Sequence, residues 1–288
     1  MPGEYFEARE RALLGTRYDV LYAASCAVRR GVTVNGLRCA PQEFAAAVDF
    51  GLEPSPFCDA AFLLTDPQLR PGRHAYHHAG VFYSQEPSAS SAAPLLGVQP
   101  GMRVLDLCAA PGGKSATLAQ YMENKGTLVS CDAAQNRLTL VGGALERLGV
   151  ACGRVLHNDA AVYNEAFAGA DAVLCDVPCS GLGVLAKKPD IRQKTLDGLD
   201  GLVRLQRAIL ETAARYVRPG GRLVYSTCTL NPDENAGIVR PFLKEHPEFR
   251  TRSVECVLPG TTKDDDFLTL YPFRTGTDGF FIASLERL

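Results

Sequence analysis

Residues Arg103 to Lys114 read RVLDLCAAPGGK, and this stretch constrains the fold more than any other in the chain. Val104 to Leu107 is a short apolar run, the pattern of a buried strand. Cys108, Ala109, Ala110, Pro111, Gly112 and Gly113 are small and turn-forming. The Leu- and Ala-rich segment from Ala116 to Tyr121 then predicts a helix. Strand, tight glycine turn and helix together bring backbone N–H groups close to a ligand at a helix N-terminus. Lys114 and Ser115 after the glycines invite comparison with a phosphate-cradling Walker loop. That loop needs Gly five positions before Gly113, where this chain has Cys108. The dinucleotide fingerprint G-x-G-x-x-G is not met either. Asp132 ends a second apolar run, Thr127 to Cys131, about 20 residues after the glycines, where a nucleoside-binding α/β domain places an acid for ribose hydroxyls. These residues predict a nucleoside-containing cofactor without a phosphate cradle. Taken as structure alone, they are a tight turn and a surface acid.

The chain has 288 residues, of which 46% are hydrophobic, enough for one large α/β domain or two smaller ones. Its net charge of −2 announces no nucleic-acid partner globally, so any such site must be a local patch. The 10 cysteines form no C-x-x-C pair, and Cys108, Cys131 and Cys175 sit in or at the end of apolar runs. That pattern argues against a disulfide framework and a zinc ribbon, and for reduced thiols in a cytoplasmic protein. The N-terminus, MPGEYFEARERALLG, lacks an apolar signal core, and no apolar run is long enough to span a bilayer. No membrane association and no obligate protein partner are expected.

Residues 1–95 predict a small α+β module and residues 96–288 a Rossmann-like α/β domain. In the first, Glu4 to Leu14, Arg17 to Arg30 and Pro41 to Phe50 look helical, and Val32 to Asn35 and Val81 to Tyr83 look like strands. Between them lies a stretch punctuated by Pro54, Pro56, Pro67 and Pro71, ending in Arg70, Arg73, His74, His77 and His78. Three histidines without a nearby acid make a poor metal site; a phosphate-contacting rim and a solvated loop are the alternatives. In the second, strands are predicted at 153–156, 171–175, 222–226 and 279–285. Helices are predicted at 134–148, at 199–216 with a stop at Pro219-Gly220-Gly221, and at 234–244, where Pro241 interrupts or restarts the helix. Strands alternating with helical crossovers mean a mostly parallel, doubly wound sheet, with ligands beyond the carboxyl ends of its strands.

Three strand ends converge on that edge, carrying Asp106 and Cys108, then Asp176 and Cys179, then Cys228. Two thiols and a carboxylate beside a cofactor pocket suit one chemistry well. A pyrimidine C5 carbon is a poor nucleophile until a thiolate adds to C6 and makes C5 enamine-like. A carboxyl group near N3 assists as charge develops. A base must then remove the C5 proton so that the thiol can leave, and a second thiol is a candidate for that step. The residues do not say which cysteine attacks.

CAAPGGK, DVPCSGLG and YSTCT, in this order, resemble the RsmB/RsmF/NSUN (Fmu/Sun) RNA 5-methylcytosine methyltransferases. HHAGVFYSQEPSA, KKPDIR, NPDEN and TDGFF extend the resemblance over most of the chain. It implies S-adenosylmethionine as methyl donor, held by residues 108–114, Asp132, Asp159 and Asp176. It implies that Cys228 attacks C6, that Cys179 assists release and that Asp176 serves the base. It makes residues 1–95 an RNA-binding module, with Arg29, Arg30, Arg38, Lys187, Lys188, Arg192 and Lys194 as candidate phosphate contacts; each is otherwise a solvated surface charge. Many bacterial members carry a further NusB-like or C-terminal RNA-binding domain, and neither is expected here. HHAGVFYSQEPSA looks more like the RsmF branch, the Pro-Cys loop and TDGFF more like RsmB. Small-subunit (16S) ribosomal RNA is the expected substrate, transfer RNA the second. A catalytically silent assembly factor on the same fold and a DNA cytosine-5 methyltransferase are the competing readings; the two thiols with Asp176 speak against the first, the Thr-Cys motif against the second.

Overall fold

The computed structural model describes residues 7–12, 15–16, 18–19, 28–185, 187–193, 197–252, 261–264 and 267–288. The first sheet is 4-stranded and antiparallel, in the order β2-β3-β1-β4. It comprises β1 (Gly31–Val34), β2 (Leu52–Pro54), β3 (Ala61–Leu64) and β4 (Phe82–Ser84). Helix α1 (Pro41–Ala47) covers it through Phe44, whose ring packs on Phe50, Phe62 and Phe82. β2 and β3 lie in the proline-punctuated stretch that the sequence presents as loop. Pro54 ends an edge strand, where its missing N–H costs no ladder bond.

Two helical expectations in this part are corrected. Residues 7–12 are helical, but residues 28–30 are not: the Arg29 N–H donates to the Gly276 carbonyl at 2.8 Å, drawing the chain out before β1. The remainder of the 17–30 expectation lies largely outside the described residues. Helix α1 stops at Ala47 rather than Phe50, because Val48 turns extended and frees Phe50 to pack on Phe82.

The second sheet is 9-stranded. β5 (Arg103–Asp106), β6 (Thr127–Asp132), β7 (Gly153–His157), β8 (Ala170–Asp176) and β9 (Val217–Thr227) run parallel in the spatial order β9-β8-β5-β6-β7. Helix α2 (Ala92–Leu96) precedes β5. Helices α3 (Gly113–Tyr121), α4 (Gln135–Arg147) and α5 (Leu199–Tyr216) are the crossovers, and α6 (Ala236–Glu245) follows β9. Strand order reverses between β5 and β8, and such a switch point opens a crevice at the carboxyl edge. This is the Rossmann-like arrangement predicted.

The far edge differs from a doubly wound sheet. β13 (Phe280–Arg287) is antiparallel to β9, and β10 (Phe249–Thr251), β11 (Thr261–Asp264) and β12 (Phe267–Leu270) extend that antiparallel edge. β13 meets the strand expected at 279–285, whereas β10 and β11, FRT and TTKD, carry no apolar run to mark them. Helix α5 ends at Tyr216, before the Pro-Gly-Gly: the chain enters β9 at Val217, and residues 219–221 form an irregularity where the register jumps from Ala170↔Val217 to Ala172↔Arg222. Helix α6 starts at Ala236 and runs unbroken through Pro241; Pro232–Glu234 before it is a separate 3-10 turn.

Candidate active site

The chain leaves β5 through the glycine turn and enters α3 at Gly113. Gly112 makes the change of direction with φ of 108°, a conformation open to glycine. A Cβ there would lie 3.1 Å from the Ala144 Cβ and 3.3 Å from the Val141 Cα, so α4 packs on the turn itself. Asp132, at the end of β6, fastens the turn from the other side. Its Oδ2 accepts from the Ala110 N–H at 3.3 Å and lies 3.5 Å from the Arg137 guanidinium, while Oδ1 accepts from the Ala134 N–H at 3.0 Å.

Behind the turn lies a buried polar chain. Ser130 Oγ donates to Ser115 Oγ at 2.9 Å, and Ser115 Oγ donates to Asp106 Oδ2 at 2.6 Å. Asp106 Oδ1 is buried without a partner. Burial disfavours its charge and pushes this carboxyl up to about 6, against the pull of Ser115.

A cavity of about 270 Å³ opens at the switch point. Among the residues lining it are Cys108, Ala110, Asp132, Asp159, Asp176, Cys179 and Cys228, together with Arg137, Leu205 and Ile209, which the sequence did not single out. Ala109, Pro111, Gly112, Gly113 and Lys114 shape this wall without being part of its lining. The Ala109 N–H donates to the Cys131 carbonyl at 2.8 Å, and Lys114 Nζ turns to Asp176 Oδ2 at 2.8 Å. Burial works against the Lys114 ammonium, but the facing Asp176 more than offsets it and holds the group above its ordinary range. Ser226 Oγ donates to Asp176 Oδ1 at 2.7 Å, so both carboxylate oxygens are engaged.

The two thiols meet in the same cavity. Cys179 Sγ and Cys228 Sγ are 3.0 Å apart. The hydrogen bond with Cys179 lowers the Cys228 thiol, against burial and the nearby Asp176, with Lys114 assisting. The same bond, with burial, raises the Cys179 thiol well above its ordinary range. The arrangement therefore makes Cys228 the more acidic of the two thiols and Cys179 the less acidic.

The candidate phosphate contacts are spread differently. Lys187 Nζ pairs with Asp278 at 2.8 Å and lies 3.7 Å from Glu86, while Lys188 is exposed. Arg192 falls in the 3-10 turn Pro189–Gln193, and Lys194 lies outside the described residues. Arg29 pairs with Glu53 at 2.7 Å. His74 and His77 pack their rings on Phe82, and no group of three metal-binding side chains gathers among the described residues. No helix of the described residues is long and apolar enough to cross a membrane.

Residues 93–286 match the family described as 16S rRNA methyltransferase RsmB/F, and residues 1–87 match the N-terminal domain of 16S rRNA methyltransferase RsmF. The chain belongs to the RsmB/F methyltransferase family. Ribosomal RNA small subunit methyltransferase F of Erwinia tasmaniensis is 34% identical over 277 residues, covering 91% of this chain and 58% of that protein. The enzyme of the same name from Escherichia coli is 33% identical, covering 93% of this chain and 59% of its own. The chain thus spans about three fifths of the length of these relatives. A methyltransferase homologue from Pyrococcus horikoshii superposes with a TM-score of 0.83 at 27% identity, over 98% of this chain and 99% of its own.

The cofactor of this family is S-adenosylmethionine, and the cavity suits it. Asp132, Asp159 and Asp176 line the cavity, and with Arg137 against Asp132 and Lys114 against Asp176 the carboxylates still outnumber the facing cations. Such a lining favours a positively charged sulfonium bearing ribose hydroxyls and disfavours a phosphate-bearing ligand.

Proposed function

We propose that the protein transfers a methyl group to C5 of a cytosine in RNA, 16S ribosomal RNA above other substrates, through a covalent bond between Cys228 Sγ and C6. The observation that carries this reading is the pair of thiols 3.0 Å apart at the ends of β8 and β9. Bound S-adenosylmethionine supplies an electrophilic methyl group. Cys228, made the more acidic thiol by the Cys179 hydrogen bond with Lys114 assisting, adds to C6 as its thiolate. Asp176, fixed by Lys114 and Ser226, accepts from the cytosine amino group beside N3, and the Lys114 ammonium next to it offsets the negative charge that develops on the ring. In the elimination the C5 proton passes to solvent, the C6–S bond breaks with its electrons returning to Cys228, and the Cys179 S–H hydrogen-bonds the departing sulfur. Asp132 and Asp159 hold the donor's hydroxyls, with Cys108, Ala110 and the glycine turn beneath it.

On this reading residues 1–95 carry RNA and residues 96–288 carry out catalysis. Lys188 and Arg192, just past the Pro-Cys loop, contact phosphates, and Lys187 steadies that loop through Asp278. A ribosomal RNA substrate places the work in the cytoplasm. The test is to incubate the protein with small-subunit ribosomal RNA, transfer RNA and a tritiated methyl donor, then read the products by bisulfite sequencing. Label at one protected cytosine of the ribosomal RNA is the expected result. Label in transfer RNA alone would move the substrate, and no label in any RNA would favour a silent assembly factor.

A further inference from the structure

Glu234, in the NPDEN segment after Cys228, is fully buried. Its carboxylate bridges the two loops that carry the thiols. Oε2 accepts from the Ser180 N–H at 2.8 Å and from Gln206 Nε2 at 2.9 Å. Oε1 accepts from Ser180 Oγ, from Asn231 Nδ2 at 3.0 Å and from Thr229 Oγ1 at 3.3 Å. Ser180 directly follows Cys179, and Thr229 directly follows Cys228. Gln206, on α5, also donates to the Pro178 carbonyl at 2.8 Å, so the residue before Cys179 is tied to the same carboxylate. A carboxylate has about four acceptor sites, and here they are spent on two loops and one helix.

We infer that Glu234 is a positioning residue that sets Cys179 against Cys228. Neither loop has regular ladder bonds at its thiol, so the 3.0 Å approach depends on contacts between the loops. The Cys228 carbonyl accepts from the Gly183 N–H at 3.0 Å, Ser180 Oγ and Thr229 Oγ1 are 2.9 Å apart, and Glu234 grips the residues after both thiols. The buried carboxylate also sits beside Cys179, where its charge opposes a second thiolate. It therefore does two things that act together: it fixes the contact, and its charge makes Cys179 the less acidic of the two thiols. This assignment rests on the thiol pair as the reacting groups of the proposed function.

The test uses the full chain without RNA or donor. Limiting iodoacetamide at neutral pH, with each site quantified by mass spectrometry, gives the ratio of Cys228 to Cys179 alkylation. The charged and titratable groups facing the pair are Lys114 from α3, Asp176 from β8, Tyr225 from β9 and Glu234 itself. Glu234→Gln removes only the last. The ratio should fall about tenfold, the change that one pH unit in relative thiol acidity produces. Gln206→Leu loosens the loop without changing charge and should move the ratio in the same direction by less; it also carries the test if Glu234→Gln does not fold. A folded variant of either kind that melts lower but keeps the wild-type ratio would make Glu234 a structural residue and overturn the assignment. Because the assay contains no RNA, failure of methyl transfer would sink the proposed function without deciding this result.

Discussion

Cys179 Sγ and Cys228 Sγ lie 3.0 Å apart although 49 residues separate them in the chain. The contact exists because β8 and β9 are neighbouring parallel strands, paired Cys175↔Tyr225 and Asp176↔Ser226, so that their carboxyl-terminal loops emerge side by side. It makes the two thiols chemically unequal, and that inequality is directly measurable.

Cys228→Ala should abolish methyl transfer while donor affinity stays near wild type, since burial and Glu234 still raise the remaining thiol, Cys179, and leave it a poor nucleophile. Cys179→Ala should instead leave addition possible and slow the release, so a protein–RNA adduct should build up on a denaturing gel. An adduct from Cys228→Ala and none from Cys179→Ala would reverse the two roles.

Asp132→Ala should weaken S-adenosylmethionine binding by about tenfold to a hundredfold, equivalent to roughly 1–3 kcal/mol for polar groups left unpaired. The carboxylate both faces the cavity and ties down the Ala110 and Ala134 N–H groups. Calorimetric titration with the donor checks this, and an unchanged dissociation constant would leave Asp132 only its structural bonds.

The central β5–turn–α3 unit was legible because its residues are local: an apolar strand, two glycines and a helix-forming run. The parallel strands were legible for the same reason. Nothing local in the NPDEN motif marks Glu234, because its partners Ser180 and Gln206 are far away in sequence and are brought in by the fold. Lys114 was assigned to the donor turn, yet its ammonium reaches Asp176, a contact set by side-chain length across the cleft. β10 and β11 were illegible because FRT and TTKD carry no apolar run to mark a strand.

Gly183→Ala should destabilise the protein by about 1–3 kcal/mol, the usual cost of overfilling a packed site. An added Cβ would meet the Gly279 carbonyl and sit 2.7 Å from the Cys228 carbonyl, both backbone atoms that cannot swing aside. Because one of them belongs to Cys228, single-turnover methyl transfer should slow more than donor binding weakens. Urea denaturation and rapid-quench kinetics measure the two effects, and wild-type values for both would mean the loop relaxes without moving the thiol.

Asp106 should contribute a loss of stability as pH rises from about 4 to about 6. Burial lifts its carboxyl from 3.8 to about 6 in the folded state, whereas the unfolded chain has the ordinary value. Across that window the folded protein binds more protons than the unfolded one, so raising the pH favours unfolding. The effect levels off above the folded value, where the charged form is buried at full cost. A shift of this size corresponds to roughly 3 kcal/mol at most. Asp278, similarly raised to about 6 by burial and by Glu86, adds a second contribution in the same window. Asp106→Asn keeps the shape of the side chain and removes the titration. Urea denaturation at pH 4, 5, 6 and 7 should therefore show a shallower decline for this variant than for wild type, with the difference growing as pH rises; parallel curves would mean that Asp106 is ionised at no such cost.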